Sequence, residues 1–372
     1  MNFNSFPFLL LFLPVTLLGF YLINRIERCK WPIVWLVGAS LIFYGFWSLV
    51  LAGVLIGSVL TNYVLGRFFN SSQINKVNLK KILYFGIVCN LGVLIYFKQF
   101  GFYEGSELQE FSPAYPWGVI IPVGLSFFTF QQIIYLVEVW RGRVDGNSFW
   151  NYFLYVVFFP QLLNGPIVRP NEFFPQLADK KFFKFQADRI AAGLTIFSCG
   201  LFKKVVLADG IARYSDSAFD AVAQGAVLSL MEAWSGTLSF TLQVYFDFSG
   251  YTDMAVGLGC FFGIRLPINF ESPYKASSLI EFWHRWHMTL SRFVRDYIYI
   301  PLGGNHKGSL KRTGNIFMIM LIGGIWHGTG TTFIVWGSLH GVLLAINHFW
   351  RQLQNSLGYS LERKNFIYEI SG

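Results

Sequence analysis

Long apolar stretches, almost free of charged residues, recur along the whole chain. They lie near positions 6–24, 31–69, 82–98, 118–139, 188–208, 228–263 and 313–350. About 20 apolar residues in a helix cross a bilayer core of about 30 Å, whereas a large soluble core would need strand-length or amphipathic segments. The chain is therefore predicted to be an all-α polytopic membrane protein.

The charge content supports this prediction. Only 13% of the residues are charged, whereas a soluble domain carries about 25%, so the charges are too few to cover a soluble surface. The formal net charge of +9 comes from Lys and Arg in short clusters beside the apolar stretches, the pattern that sets membrane topology. It therefore does not favour nucleic-acid binding.

The loops between the stretches predict the topology. The stretch at 31–69 is too long for one span, so we expect two helices hinged near Gly45. Basic residues cluster at 25–30 and 67–81, and the positive-inside rule places both clusters in the cytoplasm and the amino terminus outside. The acidic loop at 101–116 is then extracytoplasmic.

Two segments depart from simple spans. The first stretch has no basic residue before it and is followed by further spans, so it is interpreted as a transmembrane helix and not as a signal peptide. The short run at 150–168 is broken by Pro and Gly and has basic residues on both sides. We expect it to form a re-entrant element on the cytoplasmic side.

His327 is the first candidate for chemistry. Positions 313–350 carry no formal charge, and one helix of that length would measure about 57 Å at 1.5 Å per residue. The run must therefore break, and the Gly and Thr residues at 328–332 are the obvious place. Non-helical backbone at membrane depth lines a cavity or is buried in protein, which makes His327 either a functional or a structural histidine.

His287 is the second candidate, in a helical pattern at 281–295 that is too polar to be a span. At helical spacing His287 shares an apolar face with Trp283 and Leu290, while His284 lies nearer the polar side. This histidine is either buried core or chemistry. The Arg-rich opposite face fits lipid head groups or an anionic donor such as coenzyme A.

A metal site is not favoured by the sequence. His284 and His287 form one HxxH pair, but integral-membrane di-iron enzymes need several such pairs, and His306, His340 and His348 are isolated. The four cysteines, at positions 29, 89, 199 and 260, have no CxxC spacing, so neither a zinc site nor a disulfide framework is indicated. We predict no metal and no bound cofactor.

Asp247 and Asp253 are the acidic residues of the apolar run at 240–263. Six residues apart on a helix, they lie on different faces, which disfavours a pair of carboxylates working as acid and base. Acids in a membrane must be paired or protonated, so we expect hydrogen bonds to Tyr or Arg. Gly250, between them, is expected to break the helix.

An ordered series of motifs resembles bacterial members of the membrane-bound O-acyltransferase (MBOAT) family, in particular those of alginate O-acetylation. The motifs are FFPQL at 158–162, GPI at 165–167, GLFKK at 200–204, YFDFSGY at 245–251, NF at 269–270, PY at 273–274, FWHRWH at 282–287, DYIYIPLGGN at 296–305 and GIWHG at 324–328. The series covers most of the chain after about residue 110.

This resemblance implies a fold and a site. The fold is a single domain over 1–372, a ring of transmembrane helices around a central funnel or tunnel, with re-entrant and interfacial helices. The two functional histidines of the family map onto His287 and His327, which are then the catalytic residues. Further residues expected to bind substrate or line the tunnel are Trp283, Arg285, Trp286, Asp247, Ser291, Asn269 and Trp326.

The resemblance also implies the reactants. The donor would be acetyl-coenzyme A or another acyl thioester in the cytoplasm, and the acceptor a hydroxyl of a cell-envelope polysaccharide, alginate first. Family members usually pass the acyl group to an extracytoplasmic partner that resembles serine hydrolases, so such a partner is expected here. The location would be the bacterial plasma (inner) membrane.

Two departures and two rival functions stay open on sequence alone. Relatives often carry Arg or Asn where His284 stands, and they continue past the equivalent of residue 350 with further hydrophobic helices, so the chain is either a shortened member or an incomplete sequence.

A transporter or flippase would also use broken helices, but no internal repeat is visible. A di-iron oxidase is disfavoured by the six histidines.

Overall fold

The computed structural model describes residues 1–26, 30–69, 75–100, 121–146, 148–179, 184–304, 308–328 and 330–357. Every regular element in these residues is helical, which confirms the predicted all-α class. The chain forms two compact units, Met1–Phe270 and Glu271–Gly372. The predicted extracytoplasmic loop at 101–116 and the first part of the predicted cytoplasmic loop at 70–81 lie outside the described residues.

Eleven helices make up the described part of the first unit. They are α1 (Leu13–Ile26, after a π-helical turn at Phe8–Phe12), α2 (Trp31–Gly45), α3 (Leu49–Phe69), α4 (Lys76–Phe100), α5 (Leu125–Trp140), α6 (Phe149–Val157), α7 (Phe159–Leu162), α8 (Pro170–Ala178), α9 (Ala187–Phe202), α10 (Asp209–Ala223) and α11 (Leu230–Phe261). A π-helical segment, Lys203–Ala208, joins α9 to α10.

Five helices among the described residues are long and apolar enough to cross a membrane. They cover Phe8–Arg25, Leu49–Phe69, Lys76–Gln99, Ala187–Ala223 and Thr331–Gln354. The helix at the amino terminus agrees with the reading of the first stretch as a span. The predicted hinge is also confirmed, because α2 ends at Gly45 and α3 begins at Leu49.

Glycines allow α9 and α11 to pack backbone against backbone. Gly193 lies opposite Gly257, and Gly200 lies opposite Gly250, seven residues apart on each helix. A Cβ atom on Gly200 would lie 2.6 Å from the carbonyl oxygen of Gly250, so only glycine fits. The expectation that Gly250 breaks the helix is wrong: α11 runs unbroken through it, and the missing side chain serves the close approach.

Ion pairs join the π-helical segment after α9 to α11. The Nζ of Lys203 lies 2.6 Å from Asp253, and the Nζ of Lys204 lies 2.6 Å from Asp247. The acids are therefore paired, as acids in a membrane must be, but their partners are lysines and not the expected Tyr or Arg. The adjacent lysines reach both acids because they lie at the start of the π-helical segment that packs on α11.

Amide side chains connect three of the apolar helices. Asn62 of α3 and Asn90 of α4 are hydrogen-bonded to each other, with Asn90 Nδ2 donating to Asn62 Oδ1 at 2.7 Å. Gln132 of α5 accepts from Asn62 and from Ser58, the latter at 2.9 Å. Because hydrocarbon offers no partner for an amide, such a network stabilises the packing of the helices that share it.

The broken run at 150–168 forms the short helices α6 and α7, whose residues are mostly buried. Pro160 lies in the first turn of α7, where the missing N–H costs nothing. The ring of Phe159 packs on the ring of Phe43 at 5.5 Å between centroids, which attaches α7 to α2. The re-entrant character of this segment stays a prediction.

The second unit contains four helices in its described part. They are α12 (Leu279–Arg285), α13 (Met288–Val294), α14 (Ser309–His327) and α15 (Thr331–Ser356), with a short 3-10 turn at Pro273–Lys275 and a π-helical turn at Arg295–Tyr299. Helices α14 and α15 pack along each other. The predicted break of the uncharged run is confirmed, because α14 ends at His327 and α15 begins at Thr331.

Candidate active site

His327 is the last residue of α14. Gly328 follows in an extended conformation and its N–H donates to the carbonyl oxygen of Gly324 at 3.3 Å, so the helix ends immediately after the histidine. The His327 side chain is exposed. An imidazole at a helix end, turned out of the packed protein, is available to a reactant.

Small residues bring α15 close to the end of α14. A Cβ atom on Gly324 would lie 2.3 Å from the carbonyl oxygen of Phe333, and one on Gly337 would lie 2.6 Å from that of Met320. These contacts involve backbone atoms that cannot rotate away. The Gly-Gly-Ile-Trp-His motif therefore does two things: Gly324 sets the distance between the helices, and His327 lies one turn further on.

Aromatic rings surround His327. Its imidazole lies 4.7 Å from the Trp326 ring and 5.2 Å from the Trp336 ring, measured between centroids, and the Trp336 contact is edge to face at 83°. Phe333 lies parallel to the imidazole at 6.4 Å. These contacts restrict the orientation of the ring, as a group that transfers a proton requires.

His287 lies between α12 and α13 and is buried, with 5% of its surface exposed. The expected continuous helix over 281–295 is wrong, because Trp286 is extended and His287 adopts a left-handed conformation with φ 43° and ψ 53°. The expectation that His287 shares one helix face with Trp283 and Leu290 assumed a continuous helix, so it is wrong too. The predicted burial of His287 is nonetheless correct, and His284 is exposed.

The conformation of His287 is costly for a residue with a side chain. Among the described residues, only Ser272 and His287 have positive φ without being glycine. Such backbone strain costs on the order of 1–3 kcal/mol and is concentrated at functional sites. The conformation was not predictable from the sequence, since only a few per cent of residues other than glycine adopt positive φ.

The two histidines interact electrostatically. Burial, the larger cause, and a positive charge on His327 together lower the pKa of His287 to about 3. His287 is therefore neutral throughout the physiological pH range. It can orient or polarise a reactant by a hydrogen bond, but it does not gain a proton readily.

The other predicted residues of the second unit lie on α12, on α13 or, for Trp286, between them. Ser291 donates to the carbonyl oxygen of Trp283 at 3.2 Å, which ties α13 to α12. Trp286 stacks on Phe282 at 5.5 Å. Arg285 is paired with Glu281 at 2.8 Å, so its guanidinium is neutralised within α12 rather than presented alone to an anionic donor.

Asp247 and Asn269 belong to the first unit. Asp247 forms the ion pair with Lys204 already described, and Asn269 is buried with 2% of its surface exposed. Their place in a substrate tunnel stays a prediction. For the described residues, no group of three or more His, Cys, Asp or Glu side chains is arranged to hold a metal ion.

Two residues of the cluster were missed from the sequence. Trp336 touches both His327 and His340, the latter at 4.6 Å between ring centroids. His340 forms no close histidine pair in the sequence, but its ring also lies 5.4 Å from the Trp283 ring. The spacing of 13 positions between His327 and His340 gave no signal, because the two histidines lie on different helices, α14 and α15.

Residues 31–367 match the family described as "MBOAT, membrane-bound O-acyltransferase family". The chain belongs to this family. The MBOAT protein is therefore a multi-pass membrane protein and an O-acyltransferase, and the transporter and oxidase alternatives fall away.

Similar curated proteins come from bacteria. The MBOAT protein is 41% identical to a peptidoglycan O-acetyltransferase of Helicobacter pylori, over 97% of this chain and 73% of the relative. It is 37% identical to a probable alginate O-acetylase AlgI of Pseudomonas putida, over 93% of this chain and 70% of the relative. A teichoic acid D-alanyltransferase of Bacillus subtilis is 28% identical over 64% of this chain and 61% of the relative.

Proposed function

We propose that the protein transfers an acetyl group from a cytoplasmic thioester, acetyl-coenzyme A or a similar donor, towards a hydroxyl of a cell-envelope polysaccharide. The observation that carries the proposal is the exposed imidazole of His327 at a helix end, fixed by aromatic rings and within electrostatic reach of the buried His287. The acetyl assignment follows the names of the relatives.

In this proposal His327 is the general base. Its neutral imidazole removes the proton of the attacking hydroxyl while the hydroxyl oxygen forms a bond to the thioester carbonyl carbon. The carbon–sulfur bond then breaks and the thiolate leaves, taking up the proton that His327 holds. An imidazole can accept a proton through its unprotonated ring nitrogen and return it, which suits both proton transfers.

His287 has a different task in the same scheme. A buried, neutral imidazole that interacts electrostatically with His327 can orient the thioester or polarise its carbonyl oxygen. It also leaves His327 as the group that carries the proton, since two adjacent imidazolium ions would repel each other. The left-handed backbone then serves to direct this ring, at the cost of local strain.

The acceptor is proposed at two levels. The class of acceptor, an envelope polysaccharide, is inferred from the names of both the peptidoglycan and the alginate relatives. Within that class the sequence motifs favoured alginate, whereas the 41% identity to the peptidoglycan enzyme against 37% to the alginate enzyme favours peptidoglycan. We therefore place peptidoglycan first and alginate second.

The remaining architecture is proposed from the family. Transmembrane helices would form a ring around a tunnel through the bacterial inner membrane, and the two histidines would face that tunnel from opposite approaches. An extracytoplasmic partner that resembles serine hydrolases would receive the acetyl group and pass it to the glycan. Trp283, Trp286 and Trp326 would line the passage, together with Asp247 and Asn269.

Reconstituted protein provides the test. Vesicles that hold the protein and [¹⁴C]acetyl-coenzyme A inside are given peptidoglycan fragments or alginate outside, with and without membrane extract as a source of the partner. Label on the external peptidoglycan is the expected result, and label on alginate alone would reverse the order of acceptors. Label on neither, with empty vesicles as the background, would contradict acetyl transfer.

Cysteine labelling tests the topology. A cysteine at Ser106 should react with an impermeant thiol reagent in intact cells, and one at Ser72 should not. Ser72 lies within the basic cluster at 67–81, which the positive-inside rule places in the cytoplasm. Both variants should react equally after the membrane is permeabilised, which controls for access. The reverse pattern in intact cells would invert the orientation of the chain.

A further inference from the structure

Two ring nitrogens beside the candidate active site are buried without a hydrogen-bond partner. They are Nε1 of Trp283 on α12 and Nδ1 of His340 on α15, and neither has a partner among the described residues. A buried polar group that lacks a partner destabilises the fold, because it has lost its hydrogen bonds to water. Native proteins keep such groups where a ligand, ion or water completes the hydrogen bond.

The two nitrogens belong to rings that touch. The Trp283 and His340 rings are 5.4 Å apart between centroids, at 80° to each other. Trp336 closes the group, at 6.1 Å from Trp283 and 4.6 Å from His340. These three rings form what we call the indole–imidazole triangle (Trp283, Trp336 and His340).

The triangle adjoins the reacting histidine. One of its members, Trp336, is in edge-to-face contact with His327 at 5.2 Å. A small group held at the triangle is therefore one ring away from the imidazole that removes the proton. That places the triangle within the reach of a reactant bound at His327.

The chemistry of the two nitrogens defines the ligand. An indole Nε1 can only donate a hydrogen bond, and an imidazole nitrogen donates or accepts according to its tautomer. One atom that accepts from the indole and also pairs with the imidazole is an oxygen, either of a carbonyl or of a hydroxyl group. Aromatic rings offer little to a strongly hydrated anion such as phosphate, so the oxygen is an uncharged one.

We infer that Trp283 and His340 hold an uncharged oxygen of one reactant beside His327. The inference rests on the proposed function, which supplies two such oxygens: the carbonyl of the acyl thioester and the hydroxyl of the acceptor. Holding either would reduce the freedom of the reactant before the chemical step. The pair binds and orients, and takes no part in breaking or forming covalent bonds.

Steady-state kinetics of the purified full chain test the inference. His340→Phe keeps a ring of similar shape and removes the nitrogens, so kcat/KM should fall about tenfold through KM for one reactant only. A higher KM for acetyl-coenzyme A would identify the thioester carbonyl, and a higher KM for the acceptor would identify the hydroxyl. His340→Asn, whose amide nitrogen can stand near the position of Nδ1, should restore KM to within about threefold of the parent.

Two further variants separate binding from packing. Trp283→Phe should raise KM for the same reactant, and the double variant should lose little more than either single one, because both nitrogens hold one atom. His348→Phe, two turns further along α15, is the matched control and should leave both KM values unchanged.

The outcomes distinguish this inference from the proposed function. If the parent transfers acetyl and His340→Phe behaves like His348→Phe, the inference is wrong and the proposed function stands. A fall in kcat with both KM values unchanged and no rescue by asparagine would also overturn it, since that is the behaviour of a packing residue. No transfer by the parent would contradict both.

Discussion

Replacing His327 with alanine is expected to abolish acyl transfer while the protein remains folded in the membrane. The imidazole is exposed at the end of α14, so its removal leaves no buried cavity and no helix turn is lost. Loss of a general base costs about 10²–10⁴-fold in rate. Transfer of labelled acetyl by the purified variant measures the loss, and elution as a single peak in detergent checks the fold.

The neighbouring histidines provide the controls for this experiment. His284→Arg should preserve activity, because His284 is exposed and matches no functional position of the family. His287→Ala should impair transfer, since the buried imidazole is lost from the site. Transfer by His327→Ala within a few-fold of the parent would refute its catalytic role. Loss in His284→Arg together with retention in His287→Ala would refute the assignment of the pair.

Adding one methyl group at Gly324 is expected to disable the protein by displacing α15 from α14. The new Cβ would lie 2.3 Å from the carbonyl oxygen of Phe333 and 3.1 Å from the Cα of Gly337. Overpacking of this kind costs about 1–3 kcal/mol. Because His327 lies one turn beyond Gly324, the shift should also lower acyl transfer. The thermal midpoint in detergent and the transfer rate measure the two effects.

Gly323 is a matched control on the same helix. A Cβ at this position meets no atom within 4 Å, so Gly323→Ala should keep the rate of the parent and should have a midpoint no lower than that of the parent. The comparison removes the general effect of replacing glycine by alanine in a helix, which favours the variant by about 1 kcal/mol. Equal behaviour of Gly323→Ala and Gly324→Ala would show that the close approach of the two helices is not needed.

The helices and their ends were largely predictable, because the bilayer limits what an apolar run can do. The length of the run at 313–350 predicted a break, and α14 indeed ends at His327. The hinge after Gly45 followed in the same way. Both predictions use only the length of a span and the positions of Gly and charged residues, which are properties of the sequence itself.

Packing and backbone conformation were not predictable to the same degree. Gly250 looked like a helix breaker, but it is a contact point for Gly200 on another helix, and that partner is 50 positions away. Asp247 needed a cation, which proved to be Lys204. Nothing local distinguished these alternatives, since they depend on which helices become neighbours.

The candidate site also contains residues that were predictable from the sequence and residues that were not. His327 and His287 were recognised through motifs of contiguous residues, and the structure adds their interaction. His340 belongs to no contiguous motif, and its relation to Trp283 and Trp336 exists only in three dimensions. A histidine within a span was a signal worth more weight, because polar groups in a membrane are costly to keep.

The left-handed backbone at His287 sets stability against function. Glycine adopts φ 43° and ψ 53° without steric penalty, so a search for thermostable variants would favour glycine at this position and would discard the imidazole. Engineering campaigns that rank substitutions by folding alone would therefore select inert protein here. A screen of this enzyme has to couple every gain in melting temperature to a measure of turnover.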